Sequence, residues 1–210
     1  MDKHPVPKII QGIIDACKIH FEDSTFCLKS ETMSLFVISG DIMSKGINNF
    51  REGRKQVNVL KWFEEFWIYM ETSFVLIDKA FPRIFVSISV FQGKSEDEHK
   101  TQLFRAEWDS YENNKHHAQP HWHLYPHKYH YRVYEDFEAF NDMKNEGFET
   151  LIKDDFKKII DIRRIHFAMN AEWAKNLGAI HPLADIDILK NWLQGLFSDI
   201  KFQIRHAMRE

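Results

Sequence analysis

A chain of 210 residues is long enough for one domain that buries roughly 70% of its unfolded surface, so no disulfide framework is required. A formal net charge of −3 supplies no global attraction for nucleic acid, and only 8 glycines disfavour folds built on glycine-rich phosphate loops. Cys17 and Cys27 form no CxxC pair and cannot make a four-cysteine zinc site, and no apolar run approaches the roughly 20 residues that span a bilayer.

Neither GxGxxG nor GxxxxGK[ST] occurs, and the opening MDKHPVPKII has no leader-like apolar core. The expectation is a soluble, cytoplasmic protein with no membrane partner. Aromatics make up 14% of the chain, a supply of large side chains that argues for a packed core and against disorder.

In chain order, Ile9, Ile10, Ile13, Ile14 and Cys17 recur at helical spacing and predict a helix from about Pro7 to Phe21. Thr25 to Ile42 reads as two short strands around Ser30-Glu31. Gly46 to Arg54 reads as a loop, because two glycines stand there beside asparagines and charges. From Val57 to Met70, the positions Val59, Leu60, Phe63, Phe66, Trp67 and Met70 match a helical stripe, so a helix is expected. Ser73 to Ile77 suits a strand.

Arg83 to Phe91 is rich in β-branched residues, with Ser87 and Ser89 alternating against Val86, Ile88 and Val90, and predicts a strand. A charged turn over Gln92–Lys100 leads to a further strand from Leu103, completing an antiparallel meander. Beyond it, Glu135 to Asn145 and Glu149 to Ile160 look helical. Ile162 to Trp173 alternates like a strand, though a helical reading extends the preceding stripe.

The last segment, Asp185 to Arg205, is a strongly amphipathic helix with Leu189, Trp192, Leu193, Leu196 and Ile200 on one stripe; Gly195 within it suggests close packing. The expected architecture is one α+β domain over 1–210, an antiparallel β-meander packed against several amphipathic helices, including N- and C-terminal ones.

Six of the 12 histidines fall between His116 and His130. Leu103–Asp109 and Pro120–Tyr125 flank a polar loop, Ser110 to Gln119. Strand alternation puts Arg105, Glu107 and Asp109 opposite Phe104, Ala106 and Trp108, and His121 and His123 opposite Trp122 and Leu124. Antiparallel pairing of these strands, with the apolar sets buried together, gathers Glu107, Asp109, His121 and His123 on one polar face.

Two imidazoles at i and i+2 of a strand, joined by a carboxylate from the neighbouring strand, suit a divalent metal such as zinc or manganese. His116, His117, His127, His130 and His166 stand in reserve as ligands or general bases. Arg105 and the pair Arg163-Arg164 suit a phosphate or carboxylate clamp. Trp108 and Trp122 fall on the core side.

The HxH pair lacks the downstream framework of a cupin, and Tyr125 replaces the third alternating histidine of HIT-type hydrolases. No GxSxG is present. The functional expectation is a metal- or histidine-dependent hydrolase of a phosphodiester, either nucleic acid or nucleotide, with Glu107, Asp109, His121 and His123 as catalytic and metal-binding residues. The competing expectations are a solvated histidine-rich surface, or a non-enzymatic module that binds a protein partner through aromatic surfaces and the C-terminal helix.

Overall fold

The computed structural model describes residues 5–50, 53–77, 81–110, 119–125, 160, 165, 183 and 185–209. Helix α1 (Pro5–Cys17) runs into a 3₁₀ turn, Lys18–His20. Eight strands follow: β1 (Cys27–Ser30), β2 (Leu35–Ser39), β3 (Met43–Phe50), β4 (Gly53–Phe63), β5 (Phe66–Val75), β6 (Arg83–Gln92), β7 (Thr101–Asp109) and β8 (His121–Leu124). Helix α2 (Ile186–Arg209) ends the chain. The described part is therefore an antiparallel sheet with two helices, an α+β arrangement. The further helices expected at 135–145 and 149–160, and the ambiguous 162–173 segment, lie outside the described residues apart from Ile160 and Ile165.

The sheet runs β1-β2-β5-β6-β7-β8, with β4 also pairing β5, and β3 pairing β4. Strand β5 holds two neighbours on one edge: Phe66–Ile68 pair with β4, while Glu71–Ser73 pair with β2. Its other edge pairs with β6 along its whole length. The β3–β4 hairpin crosses back towards β7, where the Lys100 N–H donates to the Lys45 carbonyl at 2.7 Å and Gly46 bridges Lys100. Five strands, β3 to β7, thus close on one another at this end. Gly46 is needed there, because a Cβ would lie 2.8 Å from the Phe91 ring.

One face of the sheet is covered by the helices. Trp108 of β7 packs edge-on against Trp192 of α2 at 5.2 Å, and Trp62 of β4 against Phe197 at 5.5 Å. Leu189, Leu193, Leu196, Phe197, Ile200 and Ile204 form the buried stripe of α2, and Asp185 caps its start by accepting the Ile188 N–H at 2.8 Å. Gly12 of α1 lets α2 approach, since a Cβ there would stand 3.0 Å from Ile186. Gly195 does not mark close packing: it is exposed, and a Cβ there would meet nothing within 4 Å.

Val57–Met70 is not a helix but the end of β4, the Glu64-Glu65 turn and the first half of β5. On either side of the turn, Val59–Phe63 and Phe66–Met70 are buried on both faces apart from half-buried Lys61, so their apolar run has no alternation to reveal a period of two. Within the expected Gly46–Arg54 loop, Gly46–Phe50 belongs to β3 and Gly53-Arg54 to β4, paired antiparallel. Its asparagines are used inside: the Asn48 side-chain oxygen accepts from Ser89 at 2.8 Å and Gln102 at 2.6 Å, and Asn49 donates to Gln102. The β5–β6–β7 meander and the pair of short strands β1 and β2 are present as expected.

Candidate metal centre

Antiparallel register carries two polar rows across the face opposite the helices. One row is Glu71, Ser87, Glu107 and His121, and the other is Tyr69, Ser89, Arg105 and His123, each residue paired to the next across β5, β6, β7 and β8. Gln119 sets the start of β8 by accepting the Asp109 N–H through its side-chain oxygen at 2.8 Å. The expected pairing of the two flanking strands is therefore realised. Trp108 and Trp122 lie on the core side, with Trp122 edge-on to Phe104 at 5.8 Å.

Three ligand atoms converge at the ends of these rows. His123 Nε2 lies 2.8 Å from Glu107 Oε2 and 2.8 Å from His121 Nε2, and His121 Nε2 lies 3.4 Å from the same carboxylate oxygen. Among the described residues, Glu107, His121 and His123 are the group whose ligand atoms all fall within 4.8 Å. Glu107 is buried, while the imidazoles are half-buried and reachable.

Hydrogen bonding satisfies such a triangle poorly. Each Nε2 carries either one proton or one lone pair, so a single proton cannot serve three mutually close atoms with good angles. A cation at the centre bonds all three at once. A tetrahedral zinc ion with bonds of about 2.1 Å spaces its ligands by about 3.4 Å, so two edges would open by about half an ångström.

The electrostatics suit a cation. Burial alone would raise the Glu107 carboxyl, but hydrogen bonds from His121 and His123 and the Arg105 charge outweigh it and hold the group at about 2. Arg105 Nε stands 2.9 Å from Glu107 Oε1, and Arg105 also donates to the Asn49 carbonyl. Glu107 is thus oriented through one oxygen and presents the other to the imidazoles. Burial lowers the His123 pKa despite the opposing Glu107 carboxylate, which favours the neutral ring that a metal requires.

A cavity of about 690 Å³, within the size range of small-molecule sites, meets this group through Glu107, which lines it while His121 and His123 do not. Phe50 and Phe85 contribute apolar walls, and Arg54, Lys55 and Arg105 face Glu71, Glu107 and Asp109. Asp109 therefore shares the cavity without belonging to the three-ligand cluster. Arg105 is committed to Glu107 and Asn49 rather than held open as a clamp. His116, His117, His127, His130, Arg163, Arg164 and His166 lie outside the described residues.

The sequence reading missed Glu71 and Tyr69, having placed them at the end of a helix. The Tyr69 hydroxyl donates to Glu71 Oε2 at 2.6 Å, and burial, with the Glu107 charge, raises the Glu71 carboxyl against the opposing effects of Tyr69, Arg105 and Lys55. The alternation Tyr69, Glu71, Ser73 against Met70, Thr72, Phe74 was the signal that could have found them. No described helix is long and apolar enough to cross a membrane. Comparison of the chain with family models, curated proteins and solved structures finds no match.

Proposed function

We propose that the protein is a divalent-metal-dependent hydrolase of a phosphodiester in a nucleotide-sized substrate, with Glu107, His121 and His123 holding the ion and Asp109 assisting from the adjoining cavity. The observation that carries this reading is the convergence of two Nε2 atoms and one carboxylate oxygen beside that cavity. Two histidines and one acid match zinc or manganese and leave coordination positions for water and substrate. An ion there supplies a Lewis acid for the phosphoryl oxygen and lowers the pKa of a bound water.

Charge supports an anionic substrate. The cavity sets three cations, Arg54, Lys55 and Arg105, against three carboxylates, Glu71, Glu107 and Asp109. A doubly charged ion tips this balance to positive, which draws a phosphodiester inward. The volume favours a nucleotide or short oligonucleotide end over a duplex.

The test is turnover of thymidine 5′-(p-nitrophenyl phosphate) by protein loaded with zinc or manganese. Turnover should vanish in chelator, return on adding back the ion, and be absent from the His121→Ala/His123→Ala double variant. Hydrolysis indifferent to chelator would overturn the metal role. Stoichiometric metal with no turnover of any phosphodiester would leave a metal-binding module in place of the hydrolase.

A further inference from the structure

We propose that Glu71 is a catalytic residue of this site, the general acid that protonates the leaving oxygen of the phosphodiester; the inference rests on the hydrolase reading above. Glu71 and Glu107 occupy the same row with Ser87 between them, so their Cα atoms are two strand spacings, about 10 Å, apart. Both carboxyl groups line the same cavity. That separation leaves room for a phosphoryl group between a metal on one side and a proton donor on the other.

Ser87 is 1% exposed, and its hydroxyl has no hydrogen-bond partner among the described residues, although its neighbours along the row are carboxyl side chains. Buried hydroxyls are ordinarily satisfied, so a water belongs beside it, between the two carboxyl side chains that line the cavity. Glu71 is also fixed, because the Tyr69 hydroxyl bonds one of its oxygens and leaves the other for the cavity. Phe50 stacks edge-on against Tyr69 at 6.2 Å and holds that phenol in place.

Burial of Glu71 beside Glu107 favours its protonated form relative to a free carboxyl, the direction a proton donor needs. A water oxygen bonds to phosphorus while the bond from phosphorus to the leaving oxygen breaks, and the leaving oxygen keeps that electron pair and takes the proton of Glu71. The attacking water loses a proton to bulk solvent, and solvent reprotonates the Glu71 carboxylate, so one water is consumed per ester cleaved.

Leaving-group dependence tests this. Zinc- or manganese-loaded wild type and Glu71→Gln would be compared on thymidylyl-thymidine, whose leaving group is a sugar alcohol, and on thymidine 5′-(p-nitrophenyl phosphate), whose phenolate leaves without a proton. The expected result is a loss in kcat of about 100-fold or more on the dinucleotide, little change on the p-nitrophenyl ester, and unchanged metal stoichiometry. Glu71→Asp, which keeps a carboxylic acid, should recover part of the dinucleotide activity.

Equal losses on both esters, no loss on either, or loss of the metal from Glu71→Gln would overturn the assignment while leaving the hydrolase reading standing. A wild-type protein that cleaves neither ester overturns both.

Discussion

The two faces of the β5–β6–β7 sheet share backbones yet differ completely in what they bury. Towards the helices stand Met70, Val86, Ile88, Ala106 and Trp108, whose burial drives folding, with the Thr72 hydroxyl buried among them. On the opposite face stand half-buried Glu71 and buried Ser87, Ser89, Arg105 and Glu107, whose burial costs free energy that hydrogen bonds and the Arg105–Glu107 pair only partly offset. A side-chain period of two lets one strand serve both purposes. Stability and chemistry are therefore separable by substitution, and the sharpest tests act on one face and read the other.

Phe197→Ala removes a fully buried ring from the helix side, where it meets Trp62 and Phe21. It should cost about 3–5 kcal/mol in denaturant unfolding, with metal stoichiometry per folded molecule unchanged. Loss of metal from the folded variant would show that the faces are coupled.

The cavity face should respond to pH. The folded-state value of Glu107, about 2 against an ordinary 4.5, makes a contribution that is full above the ordinary value and lost as pH falls towards 2. His123 is also held below its ordinary 6.5, so the unfolded chain takes up its proton first and stability declines as pH drops through that value. Glu71, raised, acts in the opposite sense: its contribution is present below the ordinary carboxylate value and lost as pH rises through the folded one. The melting temperature should fall between pH 7.5 and 5.5, more steeply for metal-loaded protein because protons compete with the ion. A flat profile in both forms would contradict the burial that holds His123 below its ordinary value.

The smallest effect belongs to Gly195, exposed within α2 with open space around it. Gly195→Ala should stabilise the protein by about 0.5–1 kcal/mol through helix propensity alone, with no change in metal binding. Destabilisation would reveal a contact on that side of the helix.

The α2 stripe and the β6–β7 meander were legible because each sets apolar side chains on one face against polar ones on the other, so their periods survive in the residues, even though β6 and β7 are buried on both faces. The same contrast made Glu107, His121 and His123 legible: Ala106-Glu107-Trp108 and His121-Trp122-His123 alternate cleanly. The β4–β5 hairpin was not legible. Its buried residues form an almost unbroken run from Val57 to Met70, and its turn is Glu64-Glu65, where Glu64 adopts a φ of 49° without the glycine or asparagine that usually signals such a turn. Misreading that hairpin hid Glu71. The return of β3 towards β7 was equally hidden, since contacts such as Asn48 with Gln102 span 54 residues and leave no local pattern.

The most direct measurement is anomalous diffraction from crystals of the protein equilibrated with zinc. The account predicts one strong peak bonded to His121 Nε2, His123 Nε2 and Glu107 Oε2 at about 2.0–2.2 Å, with Arg105 still paired to the other Glu107 oxygen. Saturating zinc that leaves the two imidazoles hydrogen-bonded to each other and to Glu107, with the ion elsewhere or absent, would contradict it.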